Sequence, residues 1–203
     1  MSADEGVRRR SVAILIFDDV ELLDFAGPFE VFSSARALTG ERQRLMDVFT
    51  VAEHDRPVRT RNGLVVQPDY TLANCPPADI LVVPGGAGAR PLEERPEILG
   101  WIRERSAQAE LTTSVCTGSF LLARAGLLSG RTATTHWESV PELRERYLDI
   151  EVLEDERYVD AGPVVTSAGV SAGIDMALHV VSRLYGPSVA RATALGIEYD
   201  YWE

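Results

Sequence analysis

Residues 11–17, Ser-Val-Ala-Ile-Leu-Ile-Phe, form a continuous apolar run that stops at the acidic pair Asp18-Asp19. A strand with one wet face alternates polar and apolar side chains. A run without alternation reads as a strand buried on both faces, which requires a mostly parallel sheet with helices on both sides. The rest of the chain repeats the unit. Residues 28–38 carry helical spacing with Pro28 placed in the first turn, where its missing N–H does no harm. Residues 45–53 read as a second strand, and 57–72 as a hairpin turning at Asn62-Gly63. Residues 79–83 are a further buried strand, closed by Pro84-Gly85-Gly86. A helix over 96–108, a strand over 110–115 and a helix ending near Gly126 follow. Then come a short strand over 131–135, a helix over 139–147 and two strands over 150–154 and 157–167. The last elements are a helix running from the 169–173 stretch to 184 and another over roughly 187–198. Strand and helix alternate almost throughout, so the class is α/β.

At 203 residues the chain fits a single domain over 11–203, preceded by a flexible tail over 1–10. Its 31 acidic and 20 basic side chains give a net charge of −11, which repels phosphate backbones and anionic membranes. No nucleic-acid partner is expected, and Arg8-Arg9-Arg10 reads as a solubilising part of the tail. There is no apolar run of membrane-spanning length and no signal-peptide core, so the expected location is the cytoplasm. Two cysteines, Cys75 and Cys116, make no disulfide framework, and a reducing compartment suits a working thiol.

Ser114-Val115-Cys116-Thr117-Gly118 holds the second of them at a strand-to-helix corner. Such a turn exposes a side chain above the sheet and points the first helical N–H groups at whatever bonds to it, as in the nucleophile elbow of hydrolases. A helix N-terminus also favours the thiolate, so Cys116 is expected to be an exposed thiol of low pKa. The competing reading is a small buried hydrophobe, the usual fate of a free cysteine. Ligands of open α/β sheets sit at the carboxyl ends of the strands. Three loops leave from that edge and should converge: one with Asp24, one at Pro84-Gly85-Gly86, and the corner at Cys116.

These loops resemble the DJ-1/PfpI superfamily of flavodoxin-like, class I glutamine-amidotransferase-like domains. Leu23-Asp24-Phe25-Ala26-Gly27-Pro28, Val83-Pro84-Gly85-Gly86, Ser114-Val115-Cys116-Thr117-Gly118, Thr134-Thr135-His136-Trp137 and Ala172-Gly173-Ile174-Asp175 carry the likeness, which spans nearly the whole chain. Within the superfamily they are most similar to the isonitrile hydratase branch and to the ligand-sensing halves of AraC-type regulators. The DNA-binding pair of those regulators is not read in this sequence.

The resemblance implies a three-layer sandwich with a cysteine nucleophile elbow. It makes Cys116 the nucleophile, Asp24 the carboxylate that moves protons or holds water, and the Gly86 and Thr117 N–H groups an anion-stabilising pocket. Gly85, Gly169 and Val170 join the substrate-binding set. A carboxylate against a thiolate is a like-charge contact, so one of the two should be protonated at rest. The implied reaction adds water to an isonitrile through a thioimidate. A redox or small-molecule sensor and a glyoxalase or deglycase activity are the alternatives. Peptidase members place a histidine directly after the nucleophile, and Thr117 stands there instead. The implied partners are a small-molecule substrate and a second copy of the chain in a homodimer. No cofactor is implied.

Other residues have plainer readings. Asp24 could act as a helix N-cap, alone or alongside its chemical role. His136 caps or braces a helix, and Cys75 is a passive half-buried side chain. His54 and His179 lack the spacing of a metal site, and 85–88 lacks the lysine of a phosphate loop.

Overall fold

The computed structural model describes residues 8–38 and 42–200. In chain order the elements are β1 (Arg10–Leu15), α1 (Leu22–Ser34), β2 (Met46–Ala52), β3 (Val58–Arg59), β4 (Val65–Val66), β5 (Tyr70–Thr71) and β6 (Ile80–Val83). Next are α2 (Ala89–Leu92), α3 (Pro96–Gln108), β7 (Leu111–Val115), α4 (Gly118–Arg124), β8 (Thr132–Ala133), a 3₁₀ turn (Trp137–Ser139) and α5 (Val140–Arg146). The remainder are β9 (Glu151–Val152), β10 (Tyr158–Asp160), β11 (Val164–Ser167), α6 (Ala172–Tyr185) and α7 (Pro187–Gly196).

The central sheet has seven strands in the order β10-β11-β7-β6-β1-β2-β5, parallel except for the β10–β11 pair. In β1, Val12, Ala13, Ile14 and Leu15 are all at most 1% exposed, so successive side chains are buried on opposite faces. Helices α1, α6 and α7 pack on one another as one covering layer, while α2 and α3 pack with α4 as the other. The α/β class and the mostly parallel sheet read from 11–17 are what the chain forms.

Several boundaries differ. Helix α1 begins at Leu22, so Pro28 lies inside it and Asp24 sits in its first turn. The proline removes one hydrogen bond from the helix. The packing of α1 on α6, where Gly27 meets the Ile174 side chain, accompanies the longer helix. The stretch 57–72 forms a short hairpin, β3 with β4, closed by Gly63 at φ +91°; β5 is separate and joins the central sheet beside β2. Residues 157–167 are two antiparallel strands that turn at Gly162, and β8 pairs with β9 outside the central sheet. Arg10 belongs to β1 and pairs with Glu110 at 2.7 Å, while Arg8 and Arg9 pair with Asp79 and Asp47, so these three arginines are not a free tail. Residues 1–7 lie outside the described residues. No helix among the described residues is long and apolar enough to cross a membrane.

Candidate active site

Between the end of β7 and the start of α4 the chain turns within two residues, and Cys116 takes the turn at φ +56°. That left-handed conformation is costly for a residue with a side chain and persists only where neighbours hold it. Here the Cys116 N–H donates to the Ser167 and Ala168 carbonyls, both at 3.2 Å. Its carbonyl accepts from the Thr135 hydroxyl at 3.0 Å and the Ser119 hydroxyl at 3.2 Å. The helix that follows is pressed against the end of β6, since a Cβ on Gly118 would lie 2.1 Å from the Val83 carbonyl oxygen.

The three loops converge. The Gly85 N–H donates to Asp24 Oδ2 at 3.0 Å, and the Gly86 N–H donates to the Thr117 hydroxyl at 3.0 Å. A Cβ on Gly85 would fall 2.5 Å from the Thr117 N, so the close approach requires glycine there. The Glu21 N–H donates to the Gly85 carbonyl at 3.0 Å, fixing the start of α1 to the same loop. Asp24 does not cap α1; Glu21 occupies that position without a side-chain cap bond.

Asp24 is fully buried, and its Oδ1 accepts no hydrogen bond among the described residues. Burial pushes its carboxyl up to about 7, and the nearby Glu21 charge adds to this. The Gly85 N–H, the Cys116 thiol and the Val170 N–H favour the carboxylate without offsetting burial. The Cys116 thiol is pushed up to about 12, first by burial and then by the Asp24 charge, against the opposing pull of the Thr117 N–H and hydroxyl.

Cys116 is 6% exposed, which corrects the reading of an exposed thiol, and its burial and the Asp24 charge act to raise the thiol pKa where a helix N-terminus alone would lower it. The first turn of α4 does supply a donor, but desolvation of the sulfur outweighs it. The two groups titrate as a pair that holds one proton more readily than none.

Val170 stands at φ +53°. Gly169 lies under the His136 ring, where a Cβ would be 2.2 Å from Cδ2. His136 caps the 3₁₀ turn by accepting from the Glu138 N–H at 3.3 Å. The Gly86 N–H, expected to help form an anion pocket, donates to the Thr117 hydroxyl at 3.0 Å, while the Thr117 N–H favours the thiolate against burial of the sulfur.

The sequence alone does not single out Glu21 or Thr135. Thr135 belongs to the Thr134-Thr135-His136-Trp137 stretch, whereas nothing local distinguishes Glu21 from other acidic loop residues. Cys75 is buried, its thiol pushed up by that burial and directed to the Pro76 carbonyl at 3.2 Å. His179 stacks on Tyr158 and bonds Asp160 at 2.8 Å, and the exposed His54 side chain lies 3.7 Å from Glu53.

The DJ-1/PfpI family pattern matches residues 10–183. Isonitrile hydratase of Pseudomonas putida is 39% identical over 191 residues, covering 93% of this chain and 78% of that protein. The helix-turn-helix transcriptional regulator GbdR of Pseudomonas aeruginosa is 30% identical over 191 residues, 94% of this chain but 51% of the regulator. The chain therefore spans about half the length of that regulator. Among solved structures, a ThiJ/PfpI family protein from Pseudomonas syringae superposes with a TM-score of 0.83 at 31% identity, covering 100% of this chain and 82% of its own. A mostly parallel sheet of this order, a cysteine at the turn after β7 and a sequence match over most of the length place the chain in the DJ-1/PfpI family.

Proposed function

We propose that the protein is a cysteine-dependent hydratase of small isonitriles. The observation that carries the reading is a fully buried carboxyl group held by the Gly85 N–H, on the same loop that packs against Thr117 beside the buried Cys116 thiol; burial raises that carboxyl to about 7, which suits proton transfer at neutral pH. Similarity to an isonitrile hydratase supports the substrate class.

In this reading Asp24 accepts the Cys116 thiol proton as sulfur bonds to the terminal isonitrile carbon. The same proton is then delivered to that carbon, giving a neutral thioimidate, R–N=CH–S–Cys116. Asp24 next takes a proton from a water whose oxygen adds to the thioimidate carbon and passes that proton to the nitrogen. The C–S bond breaks as the proton of the added hydroxyl passes through Asp24 to the sulfur, and R–NH–CHO leaves. One water is consumed, and both side chains return to their starting state. Thr117 steadies the sulfur as charge develops on it. The thiolate is thus formed during attack and need not be stable at rest. The enzyme would work as a homodimer in a reducing, cytoplasmic compartment, without a cofactor.

The test is loss of the infrared isonitrile stretch of para-nitrophenyl isocyanide. Turnover should vanish in Cys116→Ala and fall by about 10²–10⁴-fold in Asp24→Asn. Absence of turnover in the wild type would remove this reading in favour of a sensor or a glyoxalase-like activity.

A further inference from the structure

A cavity of about 230 Å³ opens at the carboxyl ends of β1 and β2, and neither Asp24, Gly85, Thr117 nor Cys116 lines it. Ligands of open α/β sheets gather at this edge. The volume is comparable with that of about eight waters in the liquid, which suits a molecule smaller than most pocket ligands. Ile16 and Phe17, which follow β1, Ala52 at the end of β2 and Val58 at the start of β3 are buried and give the cavity an apolar floor. Main chain at contact distance forms part of the wall. The Gly88 N–H donates to the Asp19 carbonyl at 3.1 Å, and a Cβ on Gly88 would lie 1.9 Å from the Asp18 carbonyl oxygen.

The charges around this floor cancel, with Asp18 and Glu53 against Arg56 and Arg95. Asp18 is fully engaged, since Oδ1 accepts from the Arg59 N–H at 2.9 Å and Oδ2 from Arg56 Nη2 at 2.7 Å. The other groups keep capacity. Arg95 Nη2 donates to Glu53 Oε1, and His54 stands 3.7 Å from the same oxygen. Among the described residues Glu53 Oε2 accepts no hydrogen bond, and Arg95 Nη1 and Arg56 Nε donate none. The two arginine side chains are about half exposed, and exposed ion pairs are held weakly, so an incoming polar group can share them. A simple anion would meet two carboxylates as well as two guanidinium groups, and a simple cation the reverse. A molecule with both charges is favoured by all four.

We propose that this cavity is a second ligand site, which takes a small zwitterion with an apolar side chain, an aliphatic amino acid. The ammonium group binds Glu53 Oε2, the carboxylate takes the free N–H groups of Arg95 and Arg56, and the alkyl group covers the floor of Ile16, Phe17, Ala52 and Val58. No bond is made or broken there, and the site does not depend on the chemistry of Asp24 and Cys116.

The experiment is a titration of the full chain with L-leucine, read by saturation transfer to the leucine methyl signals in NMR. Binding should saturate with a Kd below about 10 mM. The probes 4-methylpentanoate, which lacks the ammonium group, and 3-methylbutylamine, which lacks the carboxylate, should each bind about tenfold more weakly. Glu53→Gln and Arg95→Gln replace half-exposed side chains and should each weaken leucine binding by about five- to tenfold at an unchanged Tm. Leucine binding should persist in Cys116→Ala. Absence of saturation, equal binding of either half-charged probe, or loss of binding in Cys116→Ala with retention in Glu53→Gln would each overturn the second site. Isonitrile turnover plays no part in the measurement, so a wild type that hydrates none yet binds leucine in this way would retire the hydratase reading and leave the second site standing.

Discussion

At the scale of single residues the site depends on a carboxyl group kept away from water. Asp24 would be an ordinary acid in solution, and its burial beside Glu21 makes it a base of neutral strength. Glu21 opposes ionisation of Asp24, so removing its charge in Glu21→Gln should lower the Asp24 pKa. The acid limb of kcat/KM, expected near pH 7, should then move to lower pH. A limb that stays in place would mean that another group sets it. The same burial has a cost in stability. A carboxyl whose pKa is raised in the folded state contributes stability that is complete below the unfolded value near 3.8 and is lost as pH rises through about 7. Asp24→Asn should therefore be more stable than the wild type at pH 8, by on the order of a few kcal/mol at most, with the gap closing toward pH 4. Thermal unfolding at the two pH values checks this, and the sign of the difference at pH 8 decides it.

Elements are held around the corner by an ion-pair ring. Glu93, on the residue after α2, has a side chain only 4% exposed and pairs with Arg146 of α5 and, at 3.8 Å, with Arg90 of α2. Glu142 closes the ring to Arg146 at 2.9 Å and to Arg90 at 2.6 Å. Both guanidinium groups lie over the Phe120 ring of α4, 4.5 and 5.2 Å from its centroid. The helix that follows Cys116 is thus clamped from outside by cations that are themselves paired. Removing the buried acid leaves two arginines without their inner partner. Glu93→Ala should destabilise by about 2–3 kcal/mol, less than for a fully buried pair because both arginines are more than a third exposed. Urea unfolding of Glu93→Ala, Arg146→Ala and the double variant should show strong non-additivity. Simple addition of the two losses would mean that the ring contributes through packing alone.

For the whole molecule, 31 acidic against 20 basic side chains give a net charge of −11. The similarity to GbdR covers about half of that regulator and says nothing of DNA binding here. The proposed homodimer predicts a light-scattering mass near twice 22.3 kDa at micromolar concentration. A mass of one chain under those conditions would remove the dimer from the proposal and leave the chemistry of Asp24 and Cys116 untouched.

The sequence by itself determined the layered architecture, because a run such as 11–17 with no polar alternation has no stable place except between two helical layers. It also determined that Asp24, Gly85 and Cys116 lie at one sheet edge, because each follows or ends a parallel strand. What it could not determine was set by contacts between distant segments. The upward push on the Cys116 thiol pKa follows from burial among residues remote in sequence, whereas a local helix-terminus argument points the other way. The start of α1 at Leu22 follows packing on α6, against a proline preference that favoured a later start. Arg157 meets Asp175 across a gap of 18 residues, Tyr199 meets Asp175 across 24, and Glu93 meets Arg146 across 53. Each member of these pairs is an ordinary charged or polar residue in its own segment. Its partner is chosen only when the sheet brings the segments together, since a strand order that is not the chain order makes neighbours of residues that no local pattern connects.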